Sequence, residues 1–365
     1  MVVNMNTKIT IIILLIAVLT ACAPAQEAQP LEPLKIGLVL PLTGPSSQIG
    51  NVYLEGAQLA VDDLNIARIL NRPIQLVVED TGSEPKNAVT AMQKLISVND
   101  IKFFATITSS HGLVLKPIAI SNNVLLFGDV AHPNMTGGSQ LIFRHSNIAE
   151  DEAIILINKI VELGGKRVGI LYSQDDYGHV LNKLLVQQLA NKRIFTQSES
   201  FDPKANEFRT ETAKATTDID IVVVIGVGAG FNLVFKQLKE SGFTGIIVSN
   251  IGFPITRTFE LGTLVEGVYH SDYSYTYLNS WQNFTTKYNA RYNKEPQSFH
   301  SISYGSIELL VNGIAKAGTD DPTKVAETLL KLKEFKGTYE TIQLNEKGDA
   351  VIPLSIKQFN SKQNW

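Results

Sequence analysis

Residues 34–40 read "LKIGLVL" and residues 51–65 read "NVYLEGAQLAVDDLN". The first stretch is a short apolar run of the kind that fills a strand buried on both faces, and the second sets Leu54, Ala57, Leu59, Ala60, Val61 and Leu64 on one helical face. Together they predict a βα unit, and the alternation repeats outward from it. "IQLVVED" (74–80) precedes "PKNAVTAMQKLISV" (85–98), "KFFATIT" (102–108) precedes a helix from about His111, and "NVLLFGD" (123–129) follows. Around Arg144 to Glu150 the pattern pauses. It restarts with "KRVGILY" (166–172) and a helix from Tyr177, "RIFTQSES" (193–200) and a helix from about Asn206, then "DIDIVVVIG" (218–226), "FNLVFKQLKESG" (231–242) and "GIIVSN" (245–250). Strands interleaved with amphipathic helices imply parallel sheets covered on both faces, and two such series in 365 residues predict an α/β chain of two doubly wound lobes.

From about Tyr277 the pattern turns helical, through "SWQNFTTKYNARYN" (280–293), "FHSISYGSIELLVNGIAKAG" (299–318) and "DPTKVAETLLKLK" (321–333), whose proline sits at the first helical position behind an acidic cap. Short strand-like pieces, "GTYETIQLN" (337–345) and "IPLSIKQFN" (352–360), end the chain. Helices after two sheet series, then lone strands, imply that the chain crosses between lobes more than once, and crossing segments make a hinge.

Lys8, the apolar stretch Ile9 to Ala21 and the small residues before Cys22 have the layout of a secretory signal. As a helix that stretch would reach about 20 Å at roughly 1.5 Å per residue, short of the ~30 Å hydrocarbon layer. Cys22 is the single cysteine of the chain, and "LTAC" (19–22) resembles the lipobox of bacterial lipoproteins, in which the thiol is acylated and the preceding peptide removed. Two acyl chains would give lasting membrane attachment. "APAQEAQPLEP" (23–33) reads as a semi-extended tether, so the folded part is expected from near Lys35, outside the membrane.

The net charge is -3, and without residues 1–21 there remain 31 basic and 35 acidic side chains, which argues against nucleic acid as a partner. A lone cysteine closes no internal disulfide, and the six histidines have no zinc-like spacing, so neither a metal nor a cofactor is expected. No nucleophile elbow, zinc-protease motif or phosphate-binding loop occurs, which points away from an enzyme. Glycines 226, 228 and 230 follow a strand, but Phe231 stands where a dinucleotide fingerprint needs glycine, and no ribose-binding acid follows in "VSNIG" (248–252).

Ligands of open parallel sheets bind beyond the carboxyl ends of the strands. At such an end "ITSSHG" (107–112) offers Thr108, Ser109 and Ser110 at a helix N-terminus, where unpaired N–H groups and the helix dipole favour an anion such as a carboxylate. One of these hydroxyls could equally serve only as a helix cap. In the second lobe "SQDDYGHVL" (173–181) offers Asp175 or Asp176 as a cap and Tyr177 as an aromatic wall over a ligand's apolar part, or as packing. "YHSDYSYTYLNSW" (269–281) reads either as a cleft rim around Tyr273 and Tyr275 or as a hinge crossover.

"KIGLVLPLTGP" (35–45), "EGAQLAVDDLN" (55–65), "VVEDTGSEPKNAVTAMQKLI" (77–96), "ITSS" (107–110), "DDYG" (175–178) and "EGVYHSDYS" (266–274), in that order, resemble the type I extracytoplasmic solute-binding proteins of the leucine/isoleucine/valine-binding kind. The resemblance implies two Rossmann-like lobes joined by a three-crossover hinge, a small-molecule ligand held between them, a monomer, and delivery to the permease of an ABC importer. It implies a division into a signal peptide (1–21), a lipidated tether (22–34), a first lobe of 35–146 with about 277–345, and a second lobe of 147–276 with about 346–365. It also implies a serine for the ligand carboxylate at Ser109, flanked by Thr108 and Ser110, a backbone group near Ala131, His132 where the family has a threonine, and the family tyrosine at Tyr177. Val227 stands in place of a second pocket tyrosine, and Asn250 completes the expected ligand contacts. The acid that pairs with a ligand ammonium would fall near Ile251, where "SNIGFP" has none; either Asp129 or Asp272 takes that role, or the ligand is not an ordinary α-amino acid. An exported enzyme on the same fold, or the sensing half of a signalling system, is the alternative function.

Overall fold

The structure, a computed structural model, describes residues 31–274, 279–332, 334–350 and 352–362, and from Pro33 onward the chain forms one unit. Cys22, the apolar leader and the greater part of the tether lie outside the described residues, as does Tyr275. Among the described residues no helix is long and apolar enough to cross a membrane.

The first series runs β1 (Leu34–Leu40), α1 (Ser47–Ile66), β2 (Ile74–Asp80), α2 (Pro85–Asn99), β3 (Phe103–Ile107), α3 (Ser109–Ser121), β4 (Leu125–Asp129) and β5 (Ile142–His145). The second runs α4 (Ala149–Glu162), β6 (Arg167–Ser173), α5 (Asp176–Asn191), β7 (Phe195–Phe201), α6 (Arg209–Thr216), β8 (Ile221–Ile225), α7 (Ala229–Glu240), β9 (Ile246–Ser249), the short α8 (Gly252–Ile255), a 3-10 segment Thr258–Val265 and β10 (Tyr269–Tyr273). The remainder is α9 (Asn279–Tyr292), α10 (Ser298–Ala317), α11 (Pro322–Lys331), the pair β11 (Phe335–Lys336) and β12 (Thr341–Ile342), then β13 (Asp349–Ala350) and β14 (Leu354–Gln358). One six-stranded sheet has the order β13-β5-β4-β3-β1-β2 with every pairing parallel, and the other has the order β14-β10-β9-β8-β6-β7, parallel except where β14 meets β10.

The chain passes between the sheets three times: after β5, after β10, and between β13 and β14. Asp349–Ala350 pair with Arg144–His145, so the first sheet keeps the chain through Ala350, past the expected boundary at 345. The same pairing explains why β5 hides in the sequence. Arg144 interrupts its apolar pattern, yet the guanidinium is 2% exposed and its Nε donates to Asp349 Oδ1 at 2.8 Å, so the charge is buried already paired.

Each strand splits its side chains between two layers. On β1, Leu34, Ile36, Leu38 and Leu40 pack towards α1 and α10, while Val39 faces the side where Met92 and Leu95 of α2 meet Leu115 of α3. On β8, Val222 and Val224 join Phe231 and Phe235 of α7, and Ile221, Val223 and Ile225 join Leu156 of α4 and Leu185 of α5. Each such aliphatic side chain, fully buried, contributes on the order of 1.5–3 kcal/mol. The periodicity of α1 comes through, with Ala57, Leu59, Ala60, Val61 and Leu64 buried and Leu54 partly so. Gly56 is required where α1 crosses α10, because a Cβ there would stand 2.0 Å from the His300 carbonyl oxygen.

Candidate functional site

A cavity of about 580 Å³ lies between the two sheets at the carboxyl ends of their strands. On the first lobe its wall is the start of α3. The chain turns from β3 into that helix at Thr108, whose φ of 73° departs from ordinary L-residue geometry. Thr108 holds the N-cap position, but its hydroxyl bonds His111 Nδ1 and caps no backbone N–H. Neither serine caps the helix, so the anion-binding reading of their hydroxyls stays open. Ser109 is 4% exposed, lines the cavity, and its hydroxyl has no partner among the described residues. Burial holds the His111 imidazole down at about 4, so it stands neutral behind the serines at pH 7.

The end of β4 forms the floor. Asp129 Oδ1 accepts from His145 N at 2.8 Å, and Oδ2 accepts from Tyr53 OH at 2.5 Å and Ser306 Oγ at 2.6 Å. Burial pushes its carboxyl above the usual range, and the three donors hold it in place. Ala131 lines the cavity with its carbonyl already accepting from Ala149 N at 2.9 Å. His132 does not line it. Its carbonyl takes the Arg144 guanidinium and its Nδ1 accepts from Asn134 N at 3.1 Å, so the loop after β4 turns its imidazole to the local backbone. Asp272 is likewise away from the wall, paired with Lys357 at 2.7 Å between β10 and β14.

The second lobe supplies the opposite wall from the ends of β6, β8 and β9. Asp175 caps α5, its Oδ1 accepting from Gly178 N at 2.8 Å and its Oδ2 from Ser173 Oγ at 2.7 Å. This fixes Tyr177 on the first turn, where its OH donates to Glu152 Oε2 at 2.5 Å and accepts from Asn250 Nδ2 at 3.0 Å. Glu152 is wholly buried and also accepts from Ile251 N (2.8 Å), Ser271 Oγ (2.5 Å) and Asn147 Nδ2 (3.1 Å). Burial raises both its carboxyl and the Tyr177 phenol. The polar atoms of Glu152, Tyr177 and Asn250 are therefore spent on each other, and beside the exposed Gln174, Asp176 and His179 the cavity meets the Tyr177 ring, Val227, Ile251 and Ile255.

At the rim the lobes touch. Lys204 Nζ lies 2.6 Å from Glu84 Oε1, and Gly228 comes so near the Pro45 carbonyl oxygen that a Cβ would stand 2.3 Å from it. Tyr273 belongs elsewhere: fully buried, it donates from its OH to Asn147 Oδ1 at 2.9 Å beside the crossover, so it forms no rim.

Thr108, Ser109, Ser110, Ala131, Tyr177, Val227 and Asn250 thus line one cavity, and His132 does not. Sequence reasoning missed Glu152 and the Glu84–Lys204 pair. Glu152 had a signal: Ala149, Glu152, Ala153 and Leu156 follow the spacing of a buried helical stripe, so its carboxylate had to be satisfied inside. Glu84 and Lys204, 120 positions apart, had none.

A family model described as periplasmic binding protein matches residues 33–364. The chain is similar to the Leu/Ile/Val-binding protein homolog 3 of Brucella melitensis, 25% identical over 87% of this chain and 89% of that protein. It is also similar to the leucine-, isoleucine-, valine-, threonine- and alanine-binding protein of Pseudomonas aeruginosa, 25% identical over 92% of each. Among solved structures, a leucine-binding protein from Thermotoga maritima superposes with a TM-score of 0.84 at 25% identity, covering 90% of this chain and 96% of that one.

Proposed function

The chain belongs to the periplasmic binding protein family, and from that premise we propose that it captures a small amphipathic carboxylate, a branched-chain amino acid or a similar molecule, by closure of its two lobes. Delivery to the permease of an ABC importer, and attachment to the membrane through lipid on Cys22, are parts of the same reading. Its relatives are binding proteins rather than enzymes, and their family works outside the cytoplasm. The observation that carries the reading is the asymmetry of the cavity. Ser109 and Ser110 sit with unspent hydroxyls at the N-terminus of α3 on one side, and an aromatic and aliphatic wall stands on the other. A carboxylate gains from the helix N-terminus, an apolar tail gains from the opposite wall, and a ligand that touches both favours the closed arrangement through its differential affinity for it.

Calorimetry on the Ser109→Ala variant tests this. Loss of one hydrogen bond to a charged group weakens carboxylate binding by on the order of 1–3 kcal/mol. Unchanged affinity for a carboxylate that the wild-type protein binds removes Ser109 from the site.

A further inference from the structure

The cavity has donors for an anion, but each of its inner carboxylates already receives hydrogen bonds from the protein. An α-ammonium brings three N–H donors and a full charge into a closed space, and burial without acceptors is strongly unfavourable. Of the carboxylates that line the cavity, Asp129 receives three donors, Asp175 receives two as a helix cap, and Glu84 is held by Lys204 at the rim. Four neutral acceptors on the wall each hold a donor as well. The carbonyls of Val130 and Ala131 accept from Arg144 and Ala149 N, Asn147 Oδ1 accepts from Tyr273 OH, and Asn250 Oδ1 accepts from Gly226 N. At the strand end beside Asn250, the residue that meets the cavity is Ile251, whose own N–H is directed back to Glu152. Asp176 remains, and it stands exposed at the mouth on the first turn of α5.

We propose that the ligand is an apolar monocarboxylate without a cationic amino group, of the aliphatic, 2-oxo or aromatic acid class, gripped by its carboxylate at Ser109 and Ser110 and by its tail against Tyr177 and Val227. This rests on the carboxylate reading above and narrows it: the pocket selects against the ammonium that an amino acid carries.

Matched pairs that differ only in the amino group test it: 4-methylpentanoate against L-leucine and 3-phenylpropanoate against L-phenylalanine, titrated calorimetrically into the lipid-free chain from Cys22 onward. At least one desamino acid is expected to bind at least tenfold more tightly than its amino acid, with Asp176→Asn leaving that preference in place. Amino acids that bind as tightly as their partners or more so overturn the inference, as does a preference for the desamino acid that disappears in Asp176→Asn. The two readings separate through Ser109→Ala: if it weakens both members of a pair alike while the amino acid binds better, the carboxylate site stands and the narrowing fails. No heat and no thermal shift from any of the four acids overturns both.

Discussion

Glu152 is the hub on which the second wall depends, and its replacement has a calculable effect. Four donors converge on its carboxylate: the Ile251 N–H, the Asn147 amide, and the Ser271 and Tyr177 hydroxyls. Hydroxyls can rotate to other partners, but the Ile251 N–H and the Asn147 amide cannot become acceptors at the same atoms. Glu152→Leu therefore strands two buried donors at about 1–3 kcal/mol each, a loss of about 2–6 kcal/mol. Glu152→Gln keeps one acceptor oxygen and sets its own amide against donors on the other side, which costs about 1–3 kcal/mol. Burial raises the Glu152 carboxyl above its ordinary 4.5, so the stability it contributes is complete below that value and is lost as pH rises through the raised one. Glutamine does not titrate and removes that slope. Urea unfolding followed by tryptophan fluorescence and circular dichroism measures both effects, with each transition compared separately because a two-lobed chain need not unfold in one step. The reasoning is refuted if Glu152→Leu unfolds within ~0.5 kcal/mol of wild type, the range of an ordinary surface change.

Gly228→Ala places a Cβ 2.3 Å from the Pro45 carbonyl oxygen across the rim, at a φ of 93° that already disfavours a side chain. Ligand affinity is expected to fall at least tenfold, with about 1–2 kcal/mol of stability lost to backbone strain, and small-angle scattering should show no compaction on ligand addition; wild-type compaction argues against a closed contact here. His145 is fully buried; burial alone would lower its pKa, but Glu340 3.0 Å away and Asp129 hold it up at about 9 against an ordinary 6.5. A raised folded value means its contribution is complete below pH 6.5 and is lost as pH rises through about 9, at most roughly 3.5 kcal/mol at ~1.4 kcal/mol per pH unit between them; His145→Asn should flatten the melting temperature between pH 6.5 and 9, and an unchanged slope counts against the pair.

What the sequence disclosed and what it withheld follow from the range of the forces involved. Apolar periodicity is local, so the strands at 34–40, 74–80 and 221–225 and the buried stripe of α1 could be read before any tertiary contact was known. The α3 and α5 starts were legible because helix N-termini carry short-range chemistry, and they begin within two residues of where it predicts them. Two features were hidden because their partners lie far away in the chain, and a third because a short local contact competes with the expected role. Arg144 looks like a loop residue until Asp349 arrives beside it, 205 positions later. His132 stands where the resembled family has a threonine, yet the backbone N–H of Asn134, two residues on, claims its ring nitrogen. Asp272 was a candidate for a ligand ammonium only while Lys357 on the adjacent strand was out of view.

In the proposed closure the two walls do different work. The rim pair of Lys204 and Glu84 is 57% and 39% exposed, and pairs of that kind contribute about 0–1 kcal/mol, too little to hold the lobes shut alone. Moving the lobes from mostly open to mostly closed requires a ligand with about 5.5 kcal/mol of preference for the closed state. The α3 contacts cannot supply much of that preference, because Ser109 and Ser110 belong to one lobe and are available whether or not the other approaches. They set affinity. The preference must come from what the ligand touches only on closing, the Tyr177 ring with Val227, Ile251 and Ile255. At ~25 cal/mol per Å² of apolar area, 5.5 kcal/mol corresponds to about 220 Å², within the ~150–250 Å² that one aromatic side chain buries. A bare carboxylate such as acetate should therefore occupy the α3 site without closing the lobes, whereas the same headgroup on a branched or aromatic tail closes them.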